Sequence, residues 1–252
     1  MALSVDFLGT RIDAFTPDDA VDELMARIGR SDRTRVFFVN AHCVNIARGD
    51  QSYRAALTRA ELALPDGSGV LLACRLLNLP IRHNLNGTDL VPLLLRQAAA
   101  ERRTVFLIGG RPGVAEAAAS RLSERMPGLR LIGHANGYLD EAEERAVINR
   151  IAELQPDILL VGKGVPTQEL WLDRHWDELH VGIGMAVGAL LDFVAGVFPR
   201  APRWMRAIGI EWCWRLAHEP RRLASRYVIG NATFMMEVAR WRFRTGWRRA
   251  TT

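Results

Sequence analysis

The 252-residue sequence predicts a Rossmann-like α/β fold: a mostly parallel sheet with helices on both faces, followed by a helical appendage rich in Arg and Trp. Three observations predict it. Short apolar runs alternate with amphipathic runs of helical period through residue 196. Most apolar runs end in a loop of Gly, Pro, Asp or Asn. From residue 197 the alternation stops and Arg and Trp take over. The expected division is 1–196 for the sheet domain and 197–252 for the appendage.

Each element has its own signal. SVDFLGTRID reads as a short strand or hairpin. Thr16-Pro17-Asp18-Asp19 opens a helix, with a Thr cap, Pro in the first turn and acids at the positive end of the dipole. RVFFVN is a strand, VNIARGDQSYRAALTRA is helical, and ELALPDG is a strand with its loop. DLVPLLLRQAAAE is a helix, TVFLIGG a buried strand, and PGVAEAAASRLSERM a helix begun by Pro112. LRLIGHANGY is strand and loop, EAEERAVINRIAEL a helix, DILLVGKG a strand, PTQELWLDRHWDEL a helix, and VGIGMAV a last strand. No internal repeat exists beyond this alternation.

Composition narrows the class. With 49% hydrophobic and 24% charged residues the chain is neither disordered nor fibrous. Three scattered cysteines, Cys43, Cys74 and Cys213, form no CxxC pair, which points away from a disulfide framework and towards a reducing compartment. Asp6 and Asp13 interrupt the N-terminal stretch where a secretion signal needs apolar residues. Residues 181–199 approach the length of a membrane span, but Asp192 and four glycines favour a buried strand running into a short helix. The net charge of +5 is uneven. Beyond residue 196 twelve arginines face three acids, and five of the seven tryptophans lie there. Such a tail suits an anionic partner. An anionic membrane surface fits the interleaving in WRFRTGWRR, with nucleic acid as the competing anion.

Ligands of parallel α/β sheets bind at the carboxyl ends of the strands. The loops there supply the candidate residues: Asn40 and His42; Asp66; Gly109 and Gly110; Asn136, Gly137 and Tyr138; Gly164 and Gln168; and Gly188. IGGRPG and GKGVPTQE each bring glycines to a helix N-terminus, a geometry that accepts an anion or simply makes a tight turn. Lys163, the only lysine, is either a ligand contact or an exposed loop residue. Asp66, in LPDGSG, is either a general base facing a cleft or the cap of the next helix. Asn40 and His42 either touch a ligand or are structural. Neither Asp-x-Asp nor HExxH occurs, and no Cys/His cluster has metal spacing, so no metal ligands and no cofactor are expected. A diphosphate would then need arginines, whose forks suit it.

The motifs ELALPDGSGV, NGTDLVP, VFLIGGRPGVAE, GHANGY, PDILLVGKGVPTQELW, VGALLDFVAG and PRAPRWMRAIGIEWCWRLAHEPRR occur in that order. Together they resemble the WecG/TagA/CpsF glycosyltransferase family over about residues 3–230. The resemblance implies an inverting, metal-independent transferase moving a sugar from a UDP-sugar donor to an undecaprenyl-diphosphate-linked acceptor. The sugar would be N-acetylmannosamine, its uronic acid or glucose. The product would enter a capsule, exopolysaccharide, teichoic acid or common antigen. It implies Asp66 as general base, Gln168 as a donor contact, and Arg215 and Arg222, with Arg226, as cations closing over the diphosphate. Asn86 and Asp89, in NGTDLVP, are the acceptor candidates. It further implies a cytoplasmic protein, peripheral at the inner face of the membrane, with no nucleic-acid partner. A homo-oligomer in which the appendage closes a neighbour's site is compatible with it. Three positions depart from the family pattern. Asn40-Ala41-His42 stands where many members read Thr-x-Asn, Thr167 where Lys is frequent, and Ser225 where many have Arg, leaving Arg226 as its substitute. Two rivals remain. A dinucleotide oxidoreductase lacks its glycine spacing here. A non-catalytic membrane- or nucleic-acid-binding module leaves the glycine loops and Asp66 without a role.

Overall fold

The protein is described by a computed structural model covering residues 3–245, with the side chains of Ala207, Arg222 and Thr245 outside the description. The chain opens with an antiparallel hairpin, β1 (Leu3–Phe7) and β2 (Thr10–Ala14). Leu8 and Gly9 turn it with positive φ at both positions, the handedness that matches strand twist. The Asp13 carboxylate accepts from the Ala63 backbone N–H at 2.8 Å. That bond ties the hairpin to the edge of the main sheet, where β2 lies against β4.

The main sheet has six parallel strands in the order β4-β3-β8-β7-β5-β6: β3 (Thr34–Val39), β4 (Leu62–Pro65), β5 (Thr104–Gly109), β6 (Arg130–Ala135), β7 (Ile158–Gly162) and β8 (Ile183–Ala186). The crossovers are mostly helical, as parallel pairing requires. α1 (Pro17–Arg30), α5 (Gly87–Ala100), α6 (Val114–Arg125) and α9 (Leu190–Ala195) bury one face around Leu24, Leu94, Leu107 and Leu160. α2 (Ala41–Gly49), α3 (Gln51–Arg59), α7 (Glu141–Leu154) and α8 (Thr167–Leu179) bury the other around Tyr53, Phe37, Phe106 and Leu172. The fold class is the one the alternation predicts.

Local chemistry sets the boundaries. The Thr16 hydroxyl caps α1 by accepting from Asp19 N at 3.2 Å. The helical run after β3 divides in two at Asp50, which ends α2 and caps α3 by accepting from Tyr53 N at 3.0 Å. α4 (Ser68–Leu76) follows the Pro-Asp-Gly loop, and the sequence pattern does not announce it. Its stretch SGVLLACRL is apolar, and Leu72 and Leu76 are exposed.

Beyond residue 196 come α10 (Arg203–Ala207), α11 (Glu211–His218), α12 (Pro220–Ala224), a π-helical turn over Ser225–Ile229, and α13 (Gly230–Thr245). α13 returns to the body. Phe234 is fully buried against Phe7, with ring centroids 6.0 Å apart, and Val238 joins the same cluster. Among the described residues, no helix is long and apolar enough to cross a membrane.

Candidate active site

The crest of carboxyl-terminal loops divides into a carboxylate half at β3 and β4 and a glycine half at β5 to β8. Asp66 follows β4, where its backbone N–H donates to Val39 O at 2.9 Å. The Asn40 amide nitrogen donates to Asp66 Oδ2 at 3.0 Å, while Asn40 Oδ1 accepts from His42 N and Cys43 N as the cap of α2. One side chain thus both starts a helix and orients the carboxylate. Gly67, the N-cap of α4, is held through its N–H by Asn84 Oδ1 at 2.7 Å. Among the described residues, α4 has no side-chain cap, so the Asp66 carboxylate is held by Asn40 rather than spent on the helix start.

Burial pushes the Asp66 pKa up, opposed by the Asn40 hydrogen bond and by the charges of Arg226 and Arg215, while Asp89 adds a further upward push. The two arginines come from the π-turn and from α11. Arg226 acts on Tyr53 and Glu169 as well. It also lowers His42, already driven down by burial to about 4, so His42 is neutral at pH 7. Arg215 lies over the Phe193 ring at 5.7 Å, and Arg226 over Tyr227 at 5.7 Å. The Arg222 side chain lies outside the described residues.

The appendage is fastened beside this carboxylate at named points. Ser68 Oγ donates to Gly209 O at 2.7 Å. Arg200 donates to Asp89 at 2.8 Å and to Thr88 O at 3.1 Å, and Arg206 lies 3.5 Å from Asp89. Asn86 caps α5 by accepting from Asp89 N at 3.0 Å and donates to Asp89 Oδ2 at 2.8 Å. Asn86 and Asp89 therefore form the seat of the appendage arginines, close enough to Asp66 to act on it.

In the glycine half, three loops touch backbone to backbone. Gly110 N donates to Gly162 O at 3.2 Å and Gly137 N to Gly110 O at 2.9 Å. A Cβ on Gly109, whose φ is +152°, would lie 2.5 Å from Gly162 O. Asn136 is half-buried beside these loops, while the Tyr138 ring is 73% exposed at the outer edge. Gln168 is buried, and its amide oxygen accepts from Gly164 N at 3.2 Å and Gly188 N at 2.9 Å. Its amide nitrogen donates to Glu169 Oε1 at 2.7 Å. Lys163 is no exposed loop residue: its ammonium meets Glu144 at 3.0 Å and the Trp171 ring at 5.2 Å.

The structure thus brings together Asn40, His42, Asp66, Asp89, Arg215 and Arg226, and separately Gly109, Gly110, Gly137, Gly164, Gln168 and Gly188. Asn136, Gly137 and Tyr138 follow β6 and Asp66 follows β4, the two edges of the sheet. Sequence reasoning passed over Glu169. Its position three before Leu172 and seven before Trp176, on the apolar stripe of α8, was the available signal.

An open parallel sheet with an oriented carboxylate, glycine loops and cations folded over its carboxyl edge defines an α/β enzyme with its cleft at that edge. Comparison with known proteins gives the particular kind. The profile of the glycosyl transferase WecG/TagA/CpsF family matches residues 5–248. The chain is also 32% identical over 238 residues to proteins of Staphylococcus aureus strains MW2, NCTC 8325 / PS 47 and COL, covering 94% of this chain and 92% of each relative. Each relative is named N-acetylglucosaminyldiphosphoundecaprenol N-acetyl-beta-D-mannosaminyltransferase. This chain belongs to the WecG/TagA/CpsF family and is a glycosyltransferase.

Proposed function

We propose that this enzyme moves a sugar from a UDP-sugar to an undecaprenyl-diphosphate-linked saccharide, with inversion and without a metal. Among N-acetylmannosamine, its uronic acid and glucose, the relatives' names support N-acetylmannosamine as the sugar. The observation that carries the reading is Asp66, oriented by Asn40 and acted on by Arg215 and Arg226. Asp66 takes the proton of the acceptor hydroxyl as that oxygen attacks the anomeric carbon. Burial raises its basicity, and the Asn40 bond and the two arginines oppose that rise by favouring the carboxylate. Attack opposite the leaving group inverts the configuration. The departing diphosphate gains charge, which Arg215, Arg226 and Arg222 meet, together with N–H groups of the glycine loops. The Gly109–Gly110, Asn136–Tyr138 and Gly188 loops hold the nucleotide, and Asn40 and His42 border the donor sugar.

The appendage, 197–252, has a second role in this reading. Trp204, Ile208, Val228, Ile229 and Phe243 are exposed large apolar side chains among arginines, a combination suited to an anionic bilayer surface where the acceptor lipid resides. The Trp247-Arg248-Arg249 end of that run lies outside the described residues. The protein then works as a peripheral protein at the cytoplasmic face. The test is incubation with UDP-sugars and a short-chain lipid-diphosphate N-acetylglucosamine acceptor in EDTA, with product read by mass spectrometry. A product heavier by one transferred sugar is expected in EDTA, with its anomeric configuration read by NMR as inverted. Turnover only on adding a divalent cation would overturn the arginine assignment.

A further inference from the structure

Glu169 is a buried carboxyl at the floor of the glycine half, only 1% exposed. Its Oε1 takes the Gln168 amide N–H at 2.7 Å, and its Oε2 is buried with no hydrogen-bond partner. Gln168 cannot show which way its amide points except through its partners. With the nitrogen turned to Glu169, the oxygen is turned to the N–H groups of Gly164 and Gly188. Those two N–H groups belong to different loops, after β7 and after β8. One acceptor therefore bonds both loops at once, beyond the point where the β7–β8 ladder ends with Val187 N–H on Val161 O. Reversing the amide would set its NH₂ against two backbone N–H groups.

We propose that Glu169 is a positioning residue for the donor site: by fixing the orientation of the Gln168 amide it clamps the Gly164 and Gly188 loops in one arrangement, the one that receives the donor diphosphate. The substrate class rests on the transferase reading above, while the clamp rests on the hydrogen bonds alone. The groups facing Glu169 are Gln168 on its own helix, Cys43 of α2, Tyr53 of α3 and Arg226 of the appendage. Burial pushes Glu169 up to about 8, so at pH 7 it is mainly a neutral acid. Glutamine is then its nearest isostere, and leucine removes the acceptor while keeping the bulk.

The experiment compares the full chain with Glu169→Leu and Glu169→Gln, without acceptor. Amide hydrogen exchange is read at Gly164 and Gly188, and UDP is titrated as the probe. Leaving Gln168 without its acceptor should speed exchange at both glycines and weaken UDP roughly tenfold. Glu169→Gln should restore protection and UDP affinity to near the parent's. A purely structural Glu169 would lower the melting temperature of both variants and leave UDP affinity alone in whichever folded. Unchanged glycine protection in Glu169→Leu, or lost protection with unchanged UDP affinity, would overturn the proposal. A parent protein that binds no UDP, while Glu169→Leu still exposes the glycines, would remove the donor reading and leave the clamp standing.

Discussion

A carboxyl group that takes a proton from a sugar hydroxyl must be ionised and still poorly solvated. Around Asp66 two influences compete: burial raises its pKa, and the Asn40 bond with Arg226 and Arg215 opposes the rise. Glu169 is buried too, opposed mainly by the Gln168 bond, and its pKa rises from 4.5 to about 8. The sign of its effect on stability follows. Between those values the unfolded chain has lost the proton and the folded chain keeps it, so stability falls as pH rises through the window. Glu169→Gln carries no proton to lose. Its melting temperature should therefore gain on the parent's from pH 5 to pH 8, and a constant offset would contradict the burial argument. Asp66 was a candidate from its place at a strand end, but the pattern alone left it between general base and helix cap, and the family resemblance favoured the base. Glu169 and Lys163 were not, because their meaning lies in partners far along the chain. Lys163 is spent on Glu144 and Trp171, a pairing that no local pattern records.

At the level of elements, strand order separates two kinds of chemistry. Asp66 follows edge strand β4, and the glycine loops follow β8, β7, β5 and β6. A ligand lying along the crest would place its base near β5 and β6 and its reacting sugar near β3 and β4. The glycines are needed where loops meet. Gly109→Ala would set a methyl 2.5 Å from Gly162 O at a φ of +152°. Overpacking and backbone strain together should cost on the order of 3 kcal/mol and weaken UDP binding. A Gly109→Ala protein with the parent's melting temperature and UDP affinity would refute that close approach. Strands and long helices were legible from their periods. The break at Asp50 was not, because a capping Asp between two short helices leaves the apolar period nearly unchanged. α4 was hidden because its apolar residues face both the core and the outside, as Val70 and Leu72 do.

For the whole molecule, the question is why a compact sheet domain carries a basic extension at all. Arg200 and Arg206 seat it on Asp89, Ser68 holds Gly209, and Phe234 locks α13 into the core. The charges of Arg215 and Arg226 act on the Asp66 of their own chain. The charge imbalance made the extension legible, but its return to the core was not, since the α13 stretch reads as basic and, among its described side chains, only Phe234 and Val238 are deeply buried. Replacing Trp204 and Ile229, both more than half exposed, with Ser should weaken sedimentation with anionic liposomes while UDP binding persists. Equal liposome binding would show that these side chains do not contact lipid. The central claim, that Asp66 is the base of a transfer assisted by appendage arginines, is met most directly by one measurement: the turnover of Asp66→Asn with UDP-N-acetylmannosamine and a lipid-diphosphate N-acetylglucosamine acceptor. The account predicts a loss of ~10²–10⁴-fold with UDP affinity little changed. Turnover within a few-fold of the parent's would contradict it.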